Sequence, residues 1–372
     1  MSELKIGSVI STQRRNRGIT QEELAQYIGV SKASVSKWET GQSYPDIVFL
    51  PQLATYFNIS IDELLGYSPQ MTSEDIRRLY QQLANAFSIK SFSEVYMECE
   101  YIIKKYYSCF PLLLQMSVLL LNHYTLAENL EMQRDVLQTV IKLSQKIKSE
   151  SEDVWISKQA NSIEAVCRLL LDNPEEVLEL LEGTIRPYLG DEILLANAYQ
   201  MTGQLEKSKE VLQISLYQHL IAMIGIAPSY LTLYMKEPER FEVFAHRIIT
   251  VVETFSIEKL HPNTTLALYL TLAQGYELQG NRQKALDALE KYTDICMELV
   301  FPIALHGDNF FDKIDDWFET KLDLGTHIPR DEKTVKASLL NAILDNPTFV
   351  EMENEPRFIN IIDRLKRKLG VD

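Results

Sequence analysis

Lys32, Ala33, Ser36 and Lys37 stand at positions i, i+1, i+4 and i+5 of one short helical run, so their side chains share a face. Two ammonium groups, a methyl and a hydroxyl arranged this way suit recognition rather than bond breaking. The competing reading of the two lysines is a plain solvated charge. Four aspartates, Asp308, Asp312, Asp315 and Asp316, raise the question of a cation site on one helical face. Their stretch lacks the glycine and terminal glutamate of a calcium loop, which favours a solvated acidic face. The sequence contains no phosphate-binding glycine loop, GxSxG elbow, HExxH or dinucleotide fingerprint. No enzyme, cofactor or metal is expected.

The elements that must position Lys32 and Lys37 are legible from their ends. Gly18, Gly29, Gly41 and Gly66 fall between periodic apolar runs, which marks short helices closed by glycine. Thr20 with Glu23 and Ser60 with Glu63 fit the S/T-x-x-E capping box, in which side chain and backbone satisfy each other's orphan groups. Pro45 and Asp46 open a further helix, IVFLPQLATYF, whose apolar face carries Val48, Leu53, Ala54 and Phe57. Leu24, Ala25, Ile28, Val30, Val35 and Trp38 recur at helical spacing and are assigned to the core. A bundle of four or five helices over residues 1–66 is predicted, followed by a linker over 67–73.

The segment ITQEELAQYIGVSKASVSKWETGQSYP (19–45) resembles the lambda-repressor-like, xenobiotic-response-element type helix-turn-helix, and the match extends to Leu65. The resemblance implies that Lys32 and Ala33 begin a recognition helix that enters the DNA major groove, with Ser36 and Lys37 one turn on. It places Gln21, Gln42, Ser43 and Tyr44 at phosphate-clamping positions, which set register rather than sequence choice. It also pairs Arg14 with Glu39 as a structural salt bridge. Lys32 and Ala33 stand where several family members have paired glutamines, so no operator sequence carries over.

A net charge of −15 looks wrong for a chain that meets DNA, since that affinity rests largely on cancelling phosphate charge. Distribution resolves it. Residues 1–68 hold six Lys/Arg against seven Asp/Glu, and the remainder hold 31 against 45. The acidity therefore lies outside the predicted reader.

Beyond residue 73 the pattern is helical through to Leu369. Two stretches, ILLANAYQMTGQLEKSKEVL (193–212) and YLTLAQGYELQGNRQKALDAL (269–289), repeat one another. Ala196 and Ala273 precede Tyr199 and Tyr276, Gly203 and Gly280 turn the chain, and Ser208 and Ala285 open the second helix. Small residues let paired helices approach and glycine turns the chain between them. This resembles the tetratricopeptide (TPR) repeat, and at about 34 residues per repeat it implies about six helical pairs over 74–300. In that register the residue two before each tyrosine turns to the concave surface. Asn197 and Gln274 then fall there, and the same offset from Tyr124 gives Asn122; Asn161 and Gln200 are weaker members of the row. A carboxamide can pair with both C=O and N–H of an extended peptide, although surface polarity or bonding between repeats would use it equally well. The tail 301–372 ends in a stripe of Phe358, Ile361, Ile362, Leu365 and Leu369, as a capping helix requires. The basic run Arg364 to Lys368 is read as a solvated helix end.

The expected fold is therefore all-α, a helix-turn-helix domain followed by a TPR-like right-handed solenoid with a C-terminal cap. Reader and repeats together resemble the peptide-pheromone-responsive regulators of Gram-positive bacteria. That resemblance implies operator DNA and a short peptide as partners of a homodimer, with no membrane involved. Two alternatives stay open: repeats that grip a protein instead of a peptide, and an adaptor that no longer binds DNA. Cys99, Cys109, Cys167 and Cys296 lie far apart without a CxxC pair, and the N-terminus lacks a continuous apolar run, so a cytoplasmic location is expected. Phe110–Leu121 and Leu216–Met235 are read as core helices rather than membrane spans.

Overall fold

The structure, a computed structural model, describes residues 5–67, 70–185 and 187–370. Among the described residues it is all-α, without a strand, and an isolated antiparallel bridge joins Ala304 to His327. The chain divides into two compact units, one of residues up to Thr72 with Ile103–Leu113, the other of Ser73–Ile102 with Leu114 onward.

In the first unit α1 (Ile6–Asn16), α2 (Gln21–Ile28), α3 (Lys32–Glu39), α4 (Leu50–Phe57) and α5 (Ile61–Leu65) surround one core. Both expected capping boxes form, at Thr20 with Glu23 and at Ser60 with Glu63. Gly29 and Gly66 close α2 and α5 in the left-handed region, where a side chain is strained. Leu24, Ala25, Ile28, Val35, Trp38, Leu53 and Phe57 are buried, and Val30 packs half-buried against them. Val48 departs from the expectation. It is 63% exposed, because the helix predicted as continuous begins with a 3-10 turn at Ile47–Phe49 and α-helix starts only at Leu50. Pro51 has no N–H to give an earlier α ladder. The packing also depends on a residue inside α1: a Cβ on Gly7 would lie 2.2 Å from the carbonyl oxygen of Trp38, so α1 crosses α3 backbone against backbone.

The second unit is built from α6 (Ser73–Phe87), most of α7 (Phe92–Lys105) and of α8 (Phe110–His123), α9 (Leu130–Glu150), α10 (Val154–Leu170), α11 (Pro174–Leu181), α12 (Asp191–Met201) and α13 (Leu205–Leu233). The series continues with α14 (Pro238–Thr254), the single turn α15 (Ile257–Leu260), α16 (Pro262–Leu278) and α17 (Arg282–Glu298). The two stretches that repeat in sequence become the pairs α12/α13 and α16/α17. Ala196, Ser208, Ala273 and Ala285 are buried at their crossings, and Gly203 and Gly280 turn the chain at φ +76° and +74°. Gly275 allows a further close approach, since a Cβ there would meet the Phe241 ring at 2.3 Å.

After α17 the chain runs irregularly to α18 (Asp315–Lys321), then to α19 (Glu332–Leu344) and α20 (Pro356–Leu369). Phe358, Ile361, Ile362, Leu365 and Leu369 of α20 are all buried, as the stripe requires. Arg364 pairs with Asp294 of α17 at 2.7 Å, so the head of the basic run closes the cap. The four aspartates do not share a helical face. Asp308 caps a turn at the amides of Phe310 and Phe311, Asp312 accepts from Gln213, and Asp315 accepts from the Gly307 amide. Among the described residues no group of His, Cys, Asp or Glu could hold a metal ion.

Among the described residues one helix, α13, is long and apolar enough to cross a membrane by length and composition. It carries Tyr217, Leu220, Ile224, Ala227 and Leu231 into the core of the second unit.

Replacing Gly7 by alanine is expected to lower stability by about 1–3 kcal/mol, because the added methyl meets a backbone carbonyl that cannot turn away. Gly275→Ala should cost less, as the Phe241 ring can shift. Thermal unfolding followed by circular dichroism measures both, and an unchanged melting curve for Gly7→Ala would refute the close crossing of α1 and α3.

Candidate nucleic-acid interface and ligand cavity

The frame of the first unit is an ion pair. Arg14 of α1 grips the carboxylate of Glu39, at the end of α3, through Nε at 2.6 Å and Nη2 at 2.9 Å. Its Nη1 donates to the carbonyl of Ile19 at 2.8 Å. Gln21, the first residue of α2, adds a bond from Nε2 to Glu39 at 2.9 Å. Three helices thus meet on one carboxylate. Both charged side chains are nearly buried, 12% and 6% exposed. Burial pushes the Glu39 carboxyl up, but the bonds from Arg14 and Gln21 and the charge of Arg14 outweigh it and hold the group below the usual carboxylate range. Arg17 is also engaged, lying over the rings of Tyr56 and Phe57 at 5.3 and 5.7 Å.

The cations of α3 are placed differently. Lys32 and Lys37 are exposed, with Ala33 exposed beside them and Ser36 half-buried. Ser31 caps the helix by accepting from the Ser34 amide at 3.1 Å. Lys32 lies 3.6 Å from Glu22, an exposed pair that contributes little and yields readily to a competing anion. Gln42 and Ser43 follow α3 in a turn whose two amides bond the Lys37 carbonyl, and Tyr44 is half-exposed. Lys32, Lys37, Gln42 and Tyr44 therefore present side chains to solvent from a short capped helix and the loop after it. Gln21 does so only in part, since its amide group is committed to Glu39.

The carboxamides predicted as a row have different surroundings. Asn122 is half-buried, donates from Nδ2 to Val118 O at 2.9 Å, and lines a cavity of about 370 Å³. Asn161 bridges three helices, accepting from Lys148 Nζ at 2.9 Å and donating to Leu180 O at 3.4 Å. Gln200 donates to Ser208 Oγ at 3.2 Å. Asn197 is exposed and Gln274 half-buried. Of the five, Asn122 is the one that lines this cavity. Asn263 and Arg330 share the lining, and sequence reasoning missed both. Asn263 had a signal in Pro262, which opens α16; Arg330 lies in the irregular THIPRD segment and had none.

Residues 10–64 match the helix-turn-helix family. The transcriptional activator BcrR of Enterococcus faecalis is 27% identical over 90 residues, 23% of this chain and 44% of BcrR. The match thus spans less than half of that relative's length. The transcriptional regulator SinR of Bacillus licheniformis is 31% identical over 96 residues, 24% of this chain and 86% of SinR. The chain belongs to the helix-turn-helix family of transcriptional regulators. A solved structure of Bacillus thuringiensis PlcR, in complex with a peptide and DNA, aligns with 78% of this chain and 94% of its own at 16% identity and a TM-score of 0.33.

In this helix-turn-helix unit, Glu39→Gln is expected to cost about 1–3 kcal/mol at neutral pH, by weakening a charge-assisted bond to Arg14. The folded-state pKa of Glu39 is depressed, so its contribution is fully present above the unfolded carboxyl value of about 4.3 and fades as pH falls through the folded value. Melting temperatures of both proteins from about pH 7 to about pH 3 should differ at the neutral end and converge at the acid end. A constant difference across that range would show that the Glu39 charge is not what stabilises the junction.

Proposed function

We propose that the chain is a cytoplasmic, sequence-specific transcriptional regulator that binds operator DNA as a homodimer. A short signalling peptide, held by the helical pairs of the second unit, modulates that binding. The observation that carries the DNA reading is the division of labour among cations in the first unit. Arg14 and Arg17 are spent on Glu39 and on aromatic rings, whereas Lys32 and Lys37 stand exposed on a rigid, capped helix. Gln42, Ser43 and Tyr44 flank that helix where backbone phosphates would run, and Ala33 and Ser36 complete the reading face. An adaptor freed from DNA would have no use for lysines there.

The peptide reading rests on the cavity beside Asn122 and on the remaining carboxamides Asn161, Asn197, Gln200 and Gln274, which can pair with backbone groups of an extended ligand. The homodimer reading rests on two features. One short recognition helix reads only a few base pairs, so paired half-sites supply the missing affinity. The stretch from 185 to 233 also leaves Ile185, Leu189, Leu194, Met201 and Leu233 two-thirds or more exposed, which a second copy would cover. The four cysteines are free and buried, in keeping with a reducing compartment.

DNA selected from a random pool by the purified chain, followed by fluorescence anisotropy, tests the reading. Lys32→Ala and Lys37→Ala should each weaken the selected site by about 1–3 kcal/mol and relax preference at one position if the lysine meets a base. A phosphate contact would instead weaken all sequences evenly, with a shallower salt slope. Failure to enrich any sequence, or wild-type affinity in both variants at low and high salt, would overturn the DNA assignment. Light scattering that reports a monomer with and without the selected DNA would overturn the homodimer.

A further inference from the structure

The irregular stretch between α17 and α19 is held from several sides. Arg77 of α6 donates to the carboxylate and carbonyl of Glu319 and to the carbonyls of Leu322 and Asp323. Gln115 of α8 bonds the Asp323 carboxylate at 2.8 Å, and the Tyr80 hydroxyl donates to Pro329 O at 3.1 Å. These contacts fix the chain on both sides of Gly325 and deliver Arg330, the next residue after Pro329, to the wall of the 370 Å³ cavity. Arg330 also lines a neighbouring cavity of about 330 Å³, and Ile303 and Ile328 are common to both.

The nearby carboxylates are engaged elsewhere. Asp331 caps α19, accepting from the amide and hydroxyl of Thr334, and Glu332 pairs with Lys336 at 2.6 Å. The Nε of Arg330 is buried with no hydrogen-bond partner. Burial, with the charge of Arg330 adding to it, pushes the His123 imidazole below its ordinary pKa, against the bond to the Leu119 carbonyl and the charge of Asp331. A buried donor without an acceptor costs free energy. Around it the cavity is two-natured. Asn122 keeps an amide hydrogen beyond the one given to Val118 and Asn263 is exposed, while Leu266, Val335 and Leu339 supply an apolar wall.

We propose that this cavity is a carboxylate-binding subsite in which Arg330 pairs with the anion, Asn122 and Asn263 add donors, and the apolar wall holds the group attached to it. The assignment rests on the reading of the second unit as a peptide receptor, and it names the end of the peptide that is recognised: a free C-terminus on an apolar residue. A medium-chain aliphatic acid carries the same chemistry, a carboxylate on an apolar body.

Affinity selection read by mass spectrometry separates these sources. The full-length protein is offered two heptapeptide mixtures with Leu, Ile, Val or Phe at the last position, identical except that one ends in free acids and the other in carboxamides; decanoate is offered separately. Retention of the acids about tenfold or more above the amides is expected, with that preference lost in Arg330→Gln and partly kept in Arg330→Lys. The acid-to-amide comparison in the wild-type protein needs no variant, and circular dichroism verifies that Arg330→Gln is folded. Equal retention of acids and amides would overturn the carboxylate subsite and leave the peptide reading standing. Retention of decanoate alone, lost in Arg330→Gln, would support the subsite and overturn the peptide reading. Retention of none of the three would overturn both.

Discussion

Helices in both units approach one another where side chains are small or missing, and most other features follow from those crossings. Gly7 lets α1 lie on the Trp38 carbonyl, which brings Arg14, about two turns further along the same helix, within reach of Glu39 at the end of α3. In the second unit the buried small residues Ala196, Ser208, Ala273 and Ala285, with Gly275 beneath Phe241, leave room for the same kind of approach. Dispersion and burial reward close packing only if no atom is out of place, so these positions tolerate less change than the larger residues around them. The larger residues fill whatever space the crossing leaves.

The Arg14–Glu39–Gln21 junction nearly buries two opposite charges and gives each its hydrogen-bond partners. Removing two ions from water is costly, and their attraction repays it only when geometry and remaining hydrogen bonds are good. Here the guanidinium makes a forked contact, its third nitrogen finds the Ile19 carbonyl, and the carboxylate receives a further donor from Gln21. The junction links three helices, so the orientation of α3 is set by directional bonds as well as by its apolar face of Val35 and Trp38. Directional bonds resist rotation of a helix about its own axis, which apolar packing alone permits. A face that reads a surface needs that restraint.

Much of the fold was legible in the sequence because its signals are local. Thr20 with Glu23, Ser60 with Glu63, the turns at Gly203 and Gly280, and the stripe on α20 each lie within a few residues, and each formed. The exposure of Lys32 and Lys37 was legible for the same reason, since a helical face is read from spacing. What stayed hidden depends on distant partners. Gly7 looks like a poor helix residue until the Trp38 carbonyl is known to pass over it. Val48 fitted the apolar periodicity, but Pro51 and the 3-10 turn before it rotate that side chain out to solvent. The stretch before α19 has no periodicity, and its path is set by partners such as Arg77, some 246 residues away from Asp323 in sequence.

Charge acts on two length scales in this chain. The acidic excess outside the first unit produces a diffuse field, and in physiological salt such fields fade over about 8–10 Å. It therefore disfavours anions in general without deciding any one contact. Short-range contacts decide, and they are cheapest where a cation has been held in place before the ligand arrives. Lys37 is held by the helix beneath it and Lys32 adds a loose, exposed pair with Glu22, so both keep side-chain freedom, which suits a mobile, hydrated partner such as a phosphate or base edge. Arg330 is held by its neighbours on the chain and by a wall that buries Nε, which suits one fixed anion. In an acidic chain the diffuse field acts everywhere, and a few positioned cations set which anion each local site suits.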